Sequence, residues 1–139
     1  MNGVIDTSVA VAWYFSEASS AAARAWQDKI FQGRLHALVP SLHYLEFANV
    51  LRTYVLRREI DRALAEDIYA LHLEAPLDCV EPPRAAVLAT ALEFGATAYD
   101  AAFIALAQIY DCPLITAERT TTPWVDARSS RSFSRSIAS

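Results

Sequence analysis

The sequence predicts an α/β domain in which one parallel sheet carries helices on both faces, a three-layer α/β/α sandwich. Three observations carry that prediction. Short apolar runs, Met1–Ile5, Leu35–Val39, Leu77–Val80 and Leu114–Thr116, alternate with longer segments whose apolar residues recur at helical spacing. Parallel strands need such helices between them, because a tight turn cannot return the chain in the same direction. One helical segment, Thr97–Gln108 (TAYDAAFIALAQ), is apolar nearly all round, as a helix covered on most sides must be.

The elements follow in chain order. The first strand ends at Asp6-Thr7-Ser8, and Thr7 or Ser8 can cap a helix running from Val9 through Trp13-Tyr14-Phe15. A second helix restarts within Ser16–Ser20 and reaches about Phe31, before Gly33 breaks it. Pro40 closes the second strand, and Ser41 is the expected cap of a helix from Leu42 to about Arg58. His43, Glu46 and Asn49 share one face of that helix. Ile60–Leu73 reads as the next helix, with Arg62, Glu66 and Asp67 toward solvent and Pro76 as its stop. Pro82-Pro83 opens a helix through Ala85–Phe94 that Gly95 closes. Thr97 then caps the central helix. That puts Asp100 in its first turn, where unpaired N–H groups and the helix dipole favour a negative charge. Asp111-Cys112-Pro113 turns the chain into the last apolar run.

With 139 residues, 54% of them apolar and 20% charged, the chain has enough material for one core and too much apolar content for disorder. We expect a single domain over residues 1–127 and a loosely ordered Ser/Arg-rich tail, RSSRSFSRSIAS, over 128–139. The net charge is −4, and four Arg against one Asp leave residues 119–139 at +3, so residues 1–118 carry −7. A polyanionic partner must therefore be met by local basic patches or by bound metal, not by the overall field. Arg52, Arg57, Arg58 and Arg119 are the candidates, although a solvated face is their default role. Asp6 interrupts the first apolar run and no basic residue precedes it, so no signal peptide is expected; no stretch has transmembrane length, and a cytoplasmic location follows. Cys79 and Cys112 are isolated, which argues against a zinc site or a disulfide framework, and Lys29 is the only lysine.

The acids carry the chemistry. Asp6 and Glu118 each follow a predicted strand, Glu46 lies early in the helix after the second strand, and Asp100 opens the central helix. In a parallel sheet these positions fall on one edge, beyond the carboxyl ends of the strands, where ligands bind. Four close carboxylates repel one another and call for a cation. Oxygen ligands without a His and Cys set select magnesium or manganese over zinc, and such ions usually bridge to phosphate. Metal-assisted hydrolysis of a phosphodiester is the reaction implied. Singly, Asp6 and Asp100 are no more than a helix cap and a first-turn acid; jointly they make a site. Thr7, Asn49 and Thr116 are candidates to hold the acids or the substrate, while His43 suits packing better than a hard-metal site. Trp13, Tyr14, Phe15 and Trp26 suit a core or a dimer surface.

Four segments together resemble the motifs of the PIN-domain family, and most closely the VapC-type toxins of bacterial and archaeal toxin–antitoxin modules. They are VIDTSVA at 4–10, Pro40-Ser41 with EFANVL at 46–51, YDAAFIALA at 99–107 and PLITAER at 113–119, and the resemblance spans about residues 2–125. It implies a magnesium- or manganese-dependent endoribonuclease that cuts structured or messenger RNA, dimerises and is inhibited by a cognate antitoxin. It also implies that Asp6, Glu46 and Asp100 take the positions of the metal-binding acids. Two departures stand out. The fourth acid, usually Asp, is Glu118, and the apolar strand that usually ends the family is replaced by the Ser/Arg-rich tail. The alternative is a weakly active or inactive module that acts by binding the antitoxin and, through it, operator DNA. A phosphatase with an aspartyl nucleophile is disfavoured, because Ser8 and not Asp stands two residues after Asp6 and no lysine follows the later strand.

Overall fold

Alternation along the strands decides which residues face which layer. In the computed structural model, which describes residues 1–117 and the backbone of 134–136, the elements are β1 (Asn2–Ile5), α1 (Thr7–Tyr14), α2 (Ser20–Phe31), β2 (His36–Val39), α3 (Leu42–Leu56), α4 (Arg62–Leu73), β3 (Leu77–Cys79), α5 (Arg84–Phe94), α6 (Ala98–Ile109), β4 (Leu114–Thr116) and β5 (Ser134–Ser136). All the strand pairs are parallel, and the order across the sheet is β3-β2-β1-β4-β5. Val4, Leu38 and Leu114 face one side and pack with Phe94 of α5 and Phe103, Ile104, Leu106 and Ala107 of α6. Ile5, Ala37, Val39 and Ile115 face the other, against Val9, Ala10, Ala12 and Trp13 of α1 and Ala23 and Ile30 of α2. The period of two along a strand thus feeds two cores, and the three-layer α/β/α prediction holds.

α6 is the most deeply covered helix, buried without interruption from Ala101 to Ala107. Its small residues let α5 and the sheet approach closely, and burying a side chain such as Phe103 contributes on the order of 2–3 kcal/mol. A third cluster, Val11, Phe47, Leu51 and Ala65, joins α1 to the α3–α4 pair. Thr97 caps α6 by accepting from the Asp100 N–H at 3.1 Å, and Asp61 caps α4 by accepting from Leu64 at 2.8 Å. Gly95 ends α5 with φ +61°, a left-handed conformation that glycine adopts without steric cost.

Several local expectations change. α1 begins at Thr7 with Asp6 as its extended N-cap residue; the Thr7 hydroxyl donates to Glu46 of α3 and the Ser8 hydroxyl to the Asp6 carboxylate, so neither caps. Ser41 is itself helical and forms no side-chain cap; its N–H donates to Glu81 Oε1 at 2.7 Å. Within the tail expected to be loosely ordered, Ser134–Ser136 pairs with β4 in the register Leu114↔Ser134, Ile115↔Arg135 and Thr116↔Ser136. Composition argues against a strand there, but ladder pairing uses main-chain groups that every residue except proline supplies. No single helix among the described residues is long and apolar enough to cross a membrane.

Candidate active site

β1 leads by parallel crossovers to β2 and then β3 on one side, while β4 lies on its other side. The order reverses between β1 and β4, so a crevice opens beyond their carboxyl ends, and ligands of doubly wound sheets bind at such a point. Asp6 stands there. It directly follows β1, and its N–H donates to the Ile115 carbonyl of β4 at 2.9 Å, which ties the acid to the seam.

A pocket of about 220 Å³ occupies this crevice, lined by Asp6, Thr7, Ser8, Val11, Glu46, Val50 and Asp100. Three elements deliver its acids: the β1–α1 junction, the second turn of α3 and the first turn of α6. Asp6 is buried, whereas Glu46 and Asp100 are half-buried and can face solvent. Two hydroxyls converge on the same oxygen of Asp6. Ser8 Oγ donates to Oδ2 at 2.6 Å and Thr116 Oγ1 donates to it at 3.0 Å, which fixes the rotation of the carboxylate. Ser8 in turn accepts from the Ala117 N–H at 3.0 Å, closing the seam between α1 and the end of β4.

Glu46 is held differently. Thr7 Oγ1 donates to Glu46 Oε1 at 2.8 Å and lies 3.0 Å from Nδ1 of His43, a fully buried side chain. Nε2 of His43 is 2.8 Å from Nε2 of His72 in α4, whose Nδ1 is 2.9 Å from the Tyr14 hydroxyl. Burial pushes the His43 imidazole down to about 3, helped by the neighbouring His72, and burial pushes His72 down to about 4. Both rings are therefore neutral around neutral pH. Burial also raises the Tyr14 hydroxyl to about 12, so it keeps its proton.

Of the residues that the sequence nominates, Asp6, Thr7, Glu46 and Asp100 line the pocket, and Thr116 reaches it through Asp6. Asn49 does not; it is exposed, Val50 lines the pocket beside it, and its carbonyl accepts from Thr53 Oγ1 at 3.0 Å. The pocket is met by Glu46 and Val50, four positions apart on α3, and Asn49 lies about 100° of helix rotation away from Val50. Glu118 lies outside the described residues. Ser8 and His72 were not nominated. Ser8 adjoins Asp6 and could have been read from the same loop, whereas nothing near His72 in sequence points to α1 or α3. Among the described residues no three His, Cys, Asp or Glu side chains converge tightly enough to hold one metal ion between them. The acids share a pocket without forming a closed ligand cage.

This arrangement, acids from successive elements gathered at the switch point of a parallel sheet, is that of an acid-lined α/β domain. The family model of the PIN domain matches residues 3–120, and the chain belongs to that family. Among solved structures it is similar to the crystal structure of PAE2754 from Pyrobaculum aerophilum, with a TM-score of 0.68 and 24% identity over 94% of this chain and 97% of that one. That likeness concerns the fold. No curated protein matches the chain.

Proposed function

We propose that the chain is a metal-dependent endoribonuclease, a toxin of the VapC type neutralised by a cognate antitoxin and acting as a homodimer in the cytoplasm. One observation carries this reading: carboxylates from three separate elements, Asp6, Glu46 and Asp100, line one pocket at the switch point of a PIN-family sheet. The donors are all hard oxygens, as magnesium or manganese requires. Magnesium keeps several waters and takes only one or two carboxylates directly, so a pocket of about 220 Å³ with spaced acids suits a hydrated ion better than a closed cage would. Asp6, Glu46 and Asp100 would hold it, with Glu118 as a further ligand or water-orienting group. When bound, the cation lowers the pKa of an attacking water and neutralises charge on the phosphate. The chain's own part is to keep Asp6 rotated by Ser8 and Thr116, to orient Glu46 by Thr7, and to present Asp100 at the positive end of α6.

The test is cleavage of a labelled structured RNA by purified, antitoxin-free protein with manganese, magnesium or chelator, beside Asp6→Asn. Metal-dependent cutting that the variant loses supports the nuclease; a folded protein that cuts no RNA under any metal refutes it. Asp100→Asn should leave the fold nearly intact, since the side chain is half-buried, and abolish manganese binding in a calorimetric titration. Unchanged affinity would remove Asp100 from the site.

A second reading, an inactive module that acts by binding the antitoxin and through it operator DNA, is favoured by an open apolar groove between α3 and α4. The groove holds about 410 Å³ and is lined by Leu51, Val55, Leu56, Tyr69 and Leu73 among others. Such a protein would keep its phenotype in Asp6→Asn.

A further inference from the structure

With Glu46 ionised and both histidines neutral, the hydrogen bonds behind Glu46 run in one direction. Thr7 has a single hydroxyl proton, and it is directed at Glu46 Oε1. Toward His43 the Thr7 oxygen must therefore accept, so His43 carries its proton on Nδ1. A neutral His43 then has a bare Nε2, and the proton in the 2.8 Å contact between the two rings belongs to His72 Nε2. That leaves His72 Nδ1 bare, and the Tyr14 hydroxyl donates to it. A doubly protonated His43 or His72, or a reversed chain starting from a protonated Glu46, would also satisfy these contacts; the burial of both rings opposes the first two, and an ionised Glu46, which can only accept, excludes the third.

We propose that Tyr14, His72 and His43 form a one-way hydrogen-bond relay, Tyr14 O–H to His72 Nδ1, His72 Nε2–H to His43 Nε2 and His43 Nδ1–H to Thr7, which positions the Thr7 hydroxyl on Glu46. The three are positioning residues, since none lines the acid pocket. Each relay bond joins a different pair of helices, α1 to α4, α4 to α3 and α3 to α1. The carboxylate's orientation is thereby locked to the packing of three elements. Phe47, whose ring centroid is 4.4 Å from that of His72, packs against the link, and both imidazoles are fully buried. Because both rings are fully buried, the loss of one donor leaves the next acceptor unpaired at a desolvation cost, and the error passes along the chain to Thr7. The link to cation binding rests on the carboxylate-site reading above, whereas the proton positions do not.

The first arm of the test reads histidine tautomers in the full chain by long-range ¹H–¹⁵N correlation at neutral pH. His43 is expected to be protonated on Nδ1 and His72 on Nε2; the opposite pair of tautomers, or a doubly protonated ring, would overturn the relay whether or not the protein cuts RNA. The second arm measures manganese affinity by calorimetry. His72→Leu removes the donor to His43 and should weaken binding about tenfold, while His72→Gln, whose amide can donate in its place, should stay within about twofold of wild type. Tyr14→Phe loses only an O–H, should fold normally and should weaken binding in the same direction by about twofold to threefold. A lowered melting temperature with manganese affinity unchanged in both His72→Leu and Tyr14→Phe would show packing alone and sink the positioning role. Should wild type itself bind no manganese, the carboxylate-site reading and with it the positioning role fall, while the tautomers still decide the direction of the chain.

Discussion

His43 and Glu46 are one helical turn apart on α3, yet one is wholly buried and uncharged while the other faces the pocket. The two histidines make the fold sensitive to acid. Each ring is neutral when folded, with its proton affinity lowered to about 3 for His43 and about 4 for His72, against an ordinary value of 6.5 in the unfolded chain. Above pH 6.5 neither state binds the extra proton. As the pH falls below 6.5 the unfolded chain takes up protons that the folded chain refuses, so stability is lost progressively down to the folded values and then levels off. By pH 5 the loss should be about 2 kcal/mol for each histidine, because one pH unit of differential binding is worth about 1.4 kcal/mol. Urea unfolding at pH 7 and pH 5 would show it as a lower midpoint at pH 5, reduced to about half the shift in His72→Gln; a flat midpoint in wild type would mean that the pair is hydrated or already charged.

At the scale of the element, α6 couples stability to the site. Its cap and its acid belong to one turn: Thr97 Oγ1 accepts from the N–H of Asp100, so the hydrogen bond that starts the helix also places the carboxylate. Thr97→Ala should cost about 1 kcal/mol of stability and weaken manganese binding, while Thr97→Ser should restore both. A variant with the stability loss but unaltered affinity would show that the rest of α6 positions Asp100 without the cap. α1 shows the converse. The hydroxyls that follow Asp6 suit capping by type, but Thr7 donates across the crevice to Glu46 and Ser8 donates back to the Asp6 carboxylate, and the helix starts without a side-chain cap. A missing cap of this kind costs about 1 kcal/mol, which the burial of Val9, Ala10, Ala12 and Trp13 offsets.

For the whole molecule, the site depends on two cores meeting at one sheet. Phe103 is buried at the face that α6 shares with Val4, Leu38 and Leu114, on the opposite side of the sheet from α1. Phe103→Ala should cost about 3–5 kcal/mol, through lost burial and the cavity left behind. Against the 5–15 kcal/mol typical of a domain this is a large fraction, and denaturant unfolding should detect it as a much lower midpoint with an unchanged slope. A loss below about 1 kcal/mol would mean that α5 and α6 collapse into the space and that this core is looser than its burial implies.

The sequence by itself determined the element order, most element boundaries to within a few residues, the nearly all-round burial of α6 and the three acids that line the pocket, Asp6, Glu46 and Asp100. These are local properties, or sums of them: hydrophobic period, cap chemistry, and the rule that parallel strands end on one functional edge. Tertiary structure alone decided that Thr7 serves Glu46 and not the helix cap, that Ser8 meets the Ala117 N–H, that β5 pairs with β4, and that His72 meets His43. Each of these depends on contacts between residues distant in the chain, 29 positions apart for the histidines and 110 for Thr116 and Asp6. No local pattern encodes such a contact. It exists only once two cores have closed on the sheet and brought the two polar groups within reach of each other.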